Sequence, residues 1–192
     1  TTGTSNNNGI LLLNTVSGNV INNNTIRTNG TTNNQGIRLQ SSANKNNITN
    51  NTISTNGTST PNDGILLFLT VSNNSVTGNM IQTNGTSNNV GIRLESSANN
   101  NTVVNNSIST GGSAGNNYGI YLNGVFVSTN VSGNLVSENV IRTTGVSANT
   151  GIILALSNNN NITNNNIITN GSADSNNGIH FTNTVSNNIV NN

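Results

Sequence analysis

Apolar residues recur at every second position in short runs, and the runs themselves return at a nearly constant interval. In Gly9-Ile10-Leu11-Leu12-Leu13, Ile10 and Leu12 point to one side of an extended segment, Leu11 and Leu13 to the other. Val16 follows, then Asn19-Val20-Ile21, then Asn24-Thr25-Ile26-Arg27-Thr28-Asn29-Gly30. The spacing predicts three short strands and three turns, and its period of about two rather than about 3.6 argues against helix. The pair Gly-Ile then begins again, at Gly9, Gly36, Gly64, Gly91, Gly119, Gly151 and Gly178, with intervals of 27, 28, 27, 28, 32 and 27 residues. Such a period predicts a solenoid of about seven coils stacked in one dimension, an all-β domain spanning 1–192.

Stacking the coils turns positions into columns. Ile10, Ile37, Ile65, Ile92, Ile120, Ile152 and Ile179 make one inward column. Leu12, Leu39, Leu67, Leu94, Leu122, Leu154 and Phe181 make a second; Ile26, Ile53, Ile81, Ile108, Ile141 and Ile167 make a third. Like side chains above one another fill a narrow core layer by layer.

Polar columns are as regular. Asn19, Asn46, Asn74, Asn101, Asn134, Asn160 and Asn188 form one ladder, and Asn24, Asn51, Asn79, Asn106, Asn139 and Asn165 another. A side-chain amide donates and accepts, so such a column can bond along its own length at the ~4.8 Å strand spacing. Asn also tolerates the left-handed conformation of sharp corners. Gly30, Gly57, Gly85, Gly112, Gly145 and Gly171 mark a third corner, where positive φ is expected.

Segments such as Asn46-Asn47-Ile48-Thr49-Asn50-Asn51-Thr52-Ile53 resemble the repeats of the pectate-lyase-like superfamily and of carbohydrate-binding and sugar-hydrolase domains. The resemblance spans the whole chain and implies a right-handed, three-sided parallel β-helix. It says little about activity, since that family holds lyases, hydrolases, adhesins and structural fibres.

Composition agrees with order rather than disorder. Asn exceeds a quarter of the residues, but the net charge is only +1 and the apolar positions keep register. The longest apolar run, Ile65 to Leu69, is too short to span a bilayer, so no membrane insertion is expected. Without a basic cluster or aromatic interleaving, nucleic acid is not an expected partner. No cysteine is present, so no disulfide or thiolate site is available. An Asn/Thr/Ser-rich chain with so little charge reads as extracellular or cell-surface. Asn-x-Ser/Thr sequons are plentiful, as at Asn23, Asn29, Asn47, Asn56, Asn84 and Asn130, though this composition generates them by chance.

The outer positions of the first strand break the polar pattern. They run Leu11, Arg38, Leu66, Arg93, Tyr121, Ile153, His180, and beside them Leu13, Gln40, Phe68, Glu95, Asn123, Ala155, Thr182. Leu11, Leu13, Leu66, Phe68, Tyr121 and Ile153 on one face predict contact with a partner, unless a terminal segment or the chain's own loops cover them. The coil from Gly119 carries a five-residue insertion near 123–127, and its Val125, Phe126 and Val127 either fold back on that face or form a docking knob. The ends lack polar caps, which predicts head-to-tail self-assembly or a piece cut from a longer array.

Catalysis and metal binding are not expected. The four acids, Asp63, Glu95, Glu138 and Asp174, fall in different columns, with Asp63 and Asp174 in the variable turn before a Gly-Ile pair; Glu95 pairs with Arg93, and His180 stands alone. No cofactor is implied. The leading expectation is a non-enzymatic structural subunit of an extracellular filament or surface layer, assembling with itself head-to-tail or laterally. The alternative is a glycan-binding or adhesive module of a longer cell-surface protein, against which stand the lack of Trp and the scarcity of Tyr, Tyr118 and Tyr121 alone, as stacking platforms.

Overall fold

The computed structural model describes residues 1–59 and 61–191. The chain winds as a β-solenoid with three parallel seven-stranded sheets, one on each side. The first sheet stacks Asn8–Leu13, Asn34–Gln40, Asn62–Phe68, Asn89–Glu95, Tyr118–Asn123, Thr150–Ala155 and Asn177–Thr182 in chain order. The second runs from Val20–Asn22 to Ile189–Asn191, and the third from Thr2–Ser5 to Asn166–Gly171. No helix among the described residues is long and apolar enough to cross a membrane.

Register follows the Gly-Ile repeat. Ile10 pairs with Ile37, Ile37 with Ile65, Ile65 with Ile92, and the file continues through Ile120 and Ile152 to Ile179. In the middle coils Ile37, Ile65, Ile92, Ile120 and Ile152 are fully buried, as are Leu39, Leu67, Leu94, Leu122 and Leu154 beside them. The second sheet contributes Ile48, Val76, Val103, Val136 and Ile162, the third Ile53, Ile81, Ile108 and Ile141. These β-branched residues suit the pleat and fill each layer from three sides. At the last coil the Leu column ends in Phe181, which is exposed.

Both predicted Asn ladders form. Asn46 Oδ1 accepts from the backbone N–H and the side-chain Nδ2 of Asn19, each at 3.0 Å. The same pair of hydrogen bonds repeats from Asn46 to Asn74, Asn101, Asn134, Asn160 and Asn188. It also joins Asn24, Asn51, Asn79, Asn106, Asn139 and Asn165. The left-handed residue is not the ladder Asn itself but the one before it. Lys45, Asn73 and Asn100 (φ 58°, 57° and 55°) precede the first ladder, and Asn50, Asn105 and Glu138 (φ 53°, 57° and 57°) the second. The corner places the peptide's turn and the buried amide on adjacent residues, so each keeps its own task.

The third corner departs from expectation. Of its six glycines only Gly145 has positive φ, at 155°. What the column needs is room. A Cβ on Gly57 would run into Asn62 Oδ1, one on Gly85 into Asn89 Oδ1, and one on Gly30 into Asn34 Oδ1. Those amides belong to a third ladder that the repeat pattern did not disclose. Asn7, Asn34, Asn62, Asn89, Asn117, Asn149 and Asn176 are linked Nδ2 to Oδ1 at 2.7 to 3.3 Å.

The five extra residues leave the first sheet after Asn123. They form a loop with a single 3₁₀ turn at Val127–Thr129 that rejoins the coil at Val131. Thr129 Oγ1 accepts from the Phe126 N–H at 2.9 Å and donates to Phe126 O at 3.0 Å, closing the loop on itself.

Candidate ligand-binding groove on the first sheet

The outward side of the first sheet gathers most of the reactive side chains in the chain. Arg38, Leu66, Arg93, Tyr121 and Ile153 lie in register on successive strands, and Gln40, Phe68, Glu95 and Asn123 run beside them. Asp63, which the residue pattern assigns to a variable turn, pairs in register with Gln35 and Val90 at the start of the same strands. It lies 3.0 Å from Arg93, whose other nitrogen reaches Glu95 at 3.4 Å. Two acids expected apart thus converge on one guanidinium. Alternation could not have shown it, because Asp63 has the parity of the inward Ile65 and Leu67 and stands in a mixed column with Gln35 and Val90.

Burial makes this pairing unusual. Asp63 is 1% exposed. Desolvation pushes its carboxyl above the ordinary value, against the pull of Arg93, while Glu95 adds to the rise. Burial opposes the charge on Arg93, but Asp63 and Glu95 more than offset it and hold its pKa high. Burial likewise raises the phenols of Tyr118 and Tyr121.

Aromatic faces complete the groove. The Arg38 guanidinium sits 5.7 Å from the Phe68 ring centre, and that of Arg93 5.8 Å from Tyr121. Tyr118 meets Tyr121 edge to face at 5.6 Å. Two hollows open between these groups. One of about 240 Å³ is bounded by Gln35, Arg38, Pro61, Asp63, Phe68 and Arg93. The other, about 360 Å³, is bounded by Pro61, Asn88, Arg93, Tyr118 and Tyr121. A hollow of about 370 Å³ on the third sheet has Arg27 as its one charged group among polar neighbours and the apolar Ile26, Ile53 and Met80.

The expected apolar face is smaller than its sequence suggests. Leu66 and Ile153 are buried, at 7% and 6% exposure. Leu66 lies between Arg38 and Arg93, whose aliphatic stems flank it on both sides. Phe68 and Tyr121 are half-buried. Leu11 and Leu13 are exposed in the first coil, and Val125 and Phe126 in the insertion, Phe126 at 66%. The Val127 side chain lies outside the described set.

The other charged groups do not join this site. Glu138 holds its left-handed corner and Asp174 lies in an exposed turn. Among the described residues no three His, Asp or Glu side chains converge as metal ligands.

No curated protein and no solved structure matches the chain. A family described as right-handed beta helix region matches residues 1–124, well over half the length. With three parallel sheets and aligned coils already evident, that match fixes the winding sense, and the chain belongs to the right-handed β-helix family.

Proposed function

We propose that this β-helix is a glycan-binding module of a cell-surface or extracellular protein, and that it holds its ligand in the groove over the first sheet. One observation carries the reading. Four of the nine formally charged side chains, both tyrosines and the single proline gather over consecutive coils of a chain otherwise built of amides and hydroxyls. Aromatic faces beside guanidinium, carboxylate and amide groups suit a hydroxyl-rich ligand with apolar ring faces. A binding role accords with the carboxylates better than a catalytic one. Asp63 lies behind Arg93 at 1% exposure, out of reach of a scissile bond.

The test is an array of neutral and acidic oligosaccharides, followed by calorimetry of any hit. Tyr121→Ala and Arg38→Ala are each expected to weaken binding about tenfold. An array without a hit overturns the reading.

A second reading is a structural subunit of a filament or surface layer. The exposed Leu11 and Leu13 of the first coil and, separately, Val125 and Phe126 of the insertion favour it, since exposed apolar patches usually meet a partner. It expects concentration-dependent rods by sedimentation and microscopy that Phe126→Asp disperses.

A further inference from the structure

The two hollows of the groove share two walls, Pro61 and Arg93. Pro61 is a rigid ring, whereas Arg93 is a long side chain held by charge at its tip. Its close approach to Asp63 is a contact of opposite charges rather than an aligned hydrogen bond, and its Nε has no hydrogen-bond partner. Its second anchor, Glu95, stands two residues along its own strand at 3.4 Å. One arginine thus divides a trough that runs from Arg38 and Phe68 to Tyr118 and Tyr121.

We propose that Arg93 is a movable partition, whose release from Asp63 joins the two hollows into one trough across the first sheet. This rests on reading the groove as the binding site, and it adds how the length of that site is set. The groups facing Arg93 are few. Glu95 lies on its own strand and Tyr121 on the following one, with Tyr118 against Tyr121; on the preceding strand are Asp63 and the Leu66 side chain. Gln35 and Arg38 stand one coil further, across the smaller hollow. Asp63 is the one buried acid in this set and the group that holds Arg93 across the trough. Its carboxyl is raised by burial, so mild acid neutralises it before it would neutralise an ordinary carboxylate.

The partition shields Tyr121, and the chain has only two tyrosines and no tryptophan, so tyrosine emission reports on it without any ligand. The experiment is quenching by acrylamide, a neutral probe, as pH falls from about 7 to about 4, with far-UV circular dichroism confirming the fold at each point. In the unaltered chain the quenching constant rises by roughly twofold as cover is lost from the rings. Asp63→Asn and Arg93→Ala show the high constant already at neutral pH, with no further step; Glu95→Gln keeps the step. A step that survives in Arg93→Ala, an Asp63→Asn variant that quenches like the unaltered chain, or no step at all overturns the partition. Since no oligosaccharide is present, such a failure is separate from failure of glycan binding.

Discussion

The buried corners and the outer face of the first sheet solve the same stacking problem in opposite ways. At the corners, every coil repeats the same residue. Asn74, Asn101 and Asn134 sit over one another, each amide accepting from the coil before and donating to the coil after. On the outer face the repeat alternates: Leu11, Arg38, Leu66, Arg93, Tyr121. An amide is its own complement, so identity stabilises the column. A charge is not, and two guanidinium groups at the ~4.8 Å strand spacing would repel. Arg38 and Arg93 are therefore separated by Leu66, and Arg93 finds carboxylates instead of copies of itself. Sameness marks the scaffold in this molecule, and difference marks its groove.

The comparison can be broken most severely at a ladder. Asn106 Oδ1 accepts from both the N–H and the Nδ2 of Asn79, and Asn106 Nδ2 donates to Val76 O, all within the buried corner. Asn106→Ala leaves several of these groups without partners. A loss of about 4 kcal/mol is expected in urea unfolding, with the coils on both sides loosened in hydrogen exchange. A cost below about 1 kcal/mol would show that the ladder is not what holds the corner.

The groove predicts a smaller effect that depends on pH. Asp63 has its carboxyl raised in the fold, so the folded chain binds more protons than the unfolded one between the ordinary carboxylate value and the raised one. Its contribution to stability is greatest below the ordinary value and is lost as pH rises through the raised value. Asp63→Asn removes that slope, and urea midpoints measured across the acid range should flatten in the variant. An unchanged slope would mean that another carboxylate governs the acid behaviour.

The smallest effect sharpens the comparison from inside. Thr28, Thr55, Thr83, Thr110 and Thr143 form a buried column whose hydroxyls have no hydrogen-bond partners. Unlike the ladder amides, these hydroxyls meet no partner on the neighbouring coil, so identity here gives packing without bonding. Thr83→Val keeps the shape and removes the stranded hydroxyl. A gain of about 1 kcal/mol is expected, read as a rise in thermal midpoint.

The repeat made two ladders plain because Asn19 and Asn24 precede apolar residues at fixed offsets. The third was hidden among Asn-rich turns of variable length, where Asn7, Asn34 and Asn62 have Asn, Gln, Pro or Asp neighbours that blur the frame. Its sign was present in another guise, as the glycine column that leaves space for those amides. Asp63 was misread for a related reason. It stands where other coils carry Gln35, Val90 or Tyr118, and a column of such mixed residues has no pattern of its own.

From the sequence alone follow the period, the inward files of Ile and Leu and the amide columns, because each depends on a residue meeting its own kind one coil away. The tertiary structure decided which outward side chains are covered and which acid meets which base. Leu66 looks exposed by alternation and is buried by the arginines on either side, while Asp63 looks like a turn residue and lies under Arg93. Contacts between unlike residues depend on the direction and reach of individual side chains across neighbouring coils, and periodicity carries no information about either.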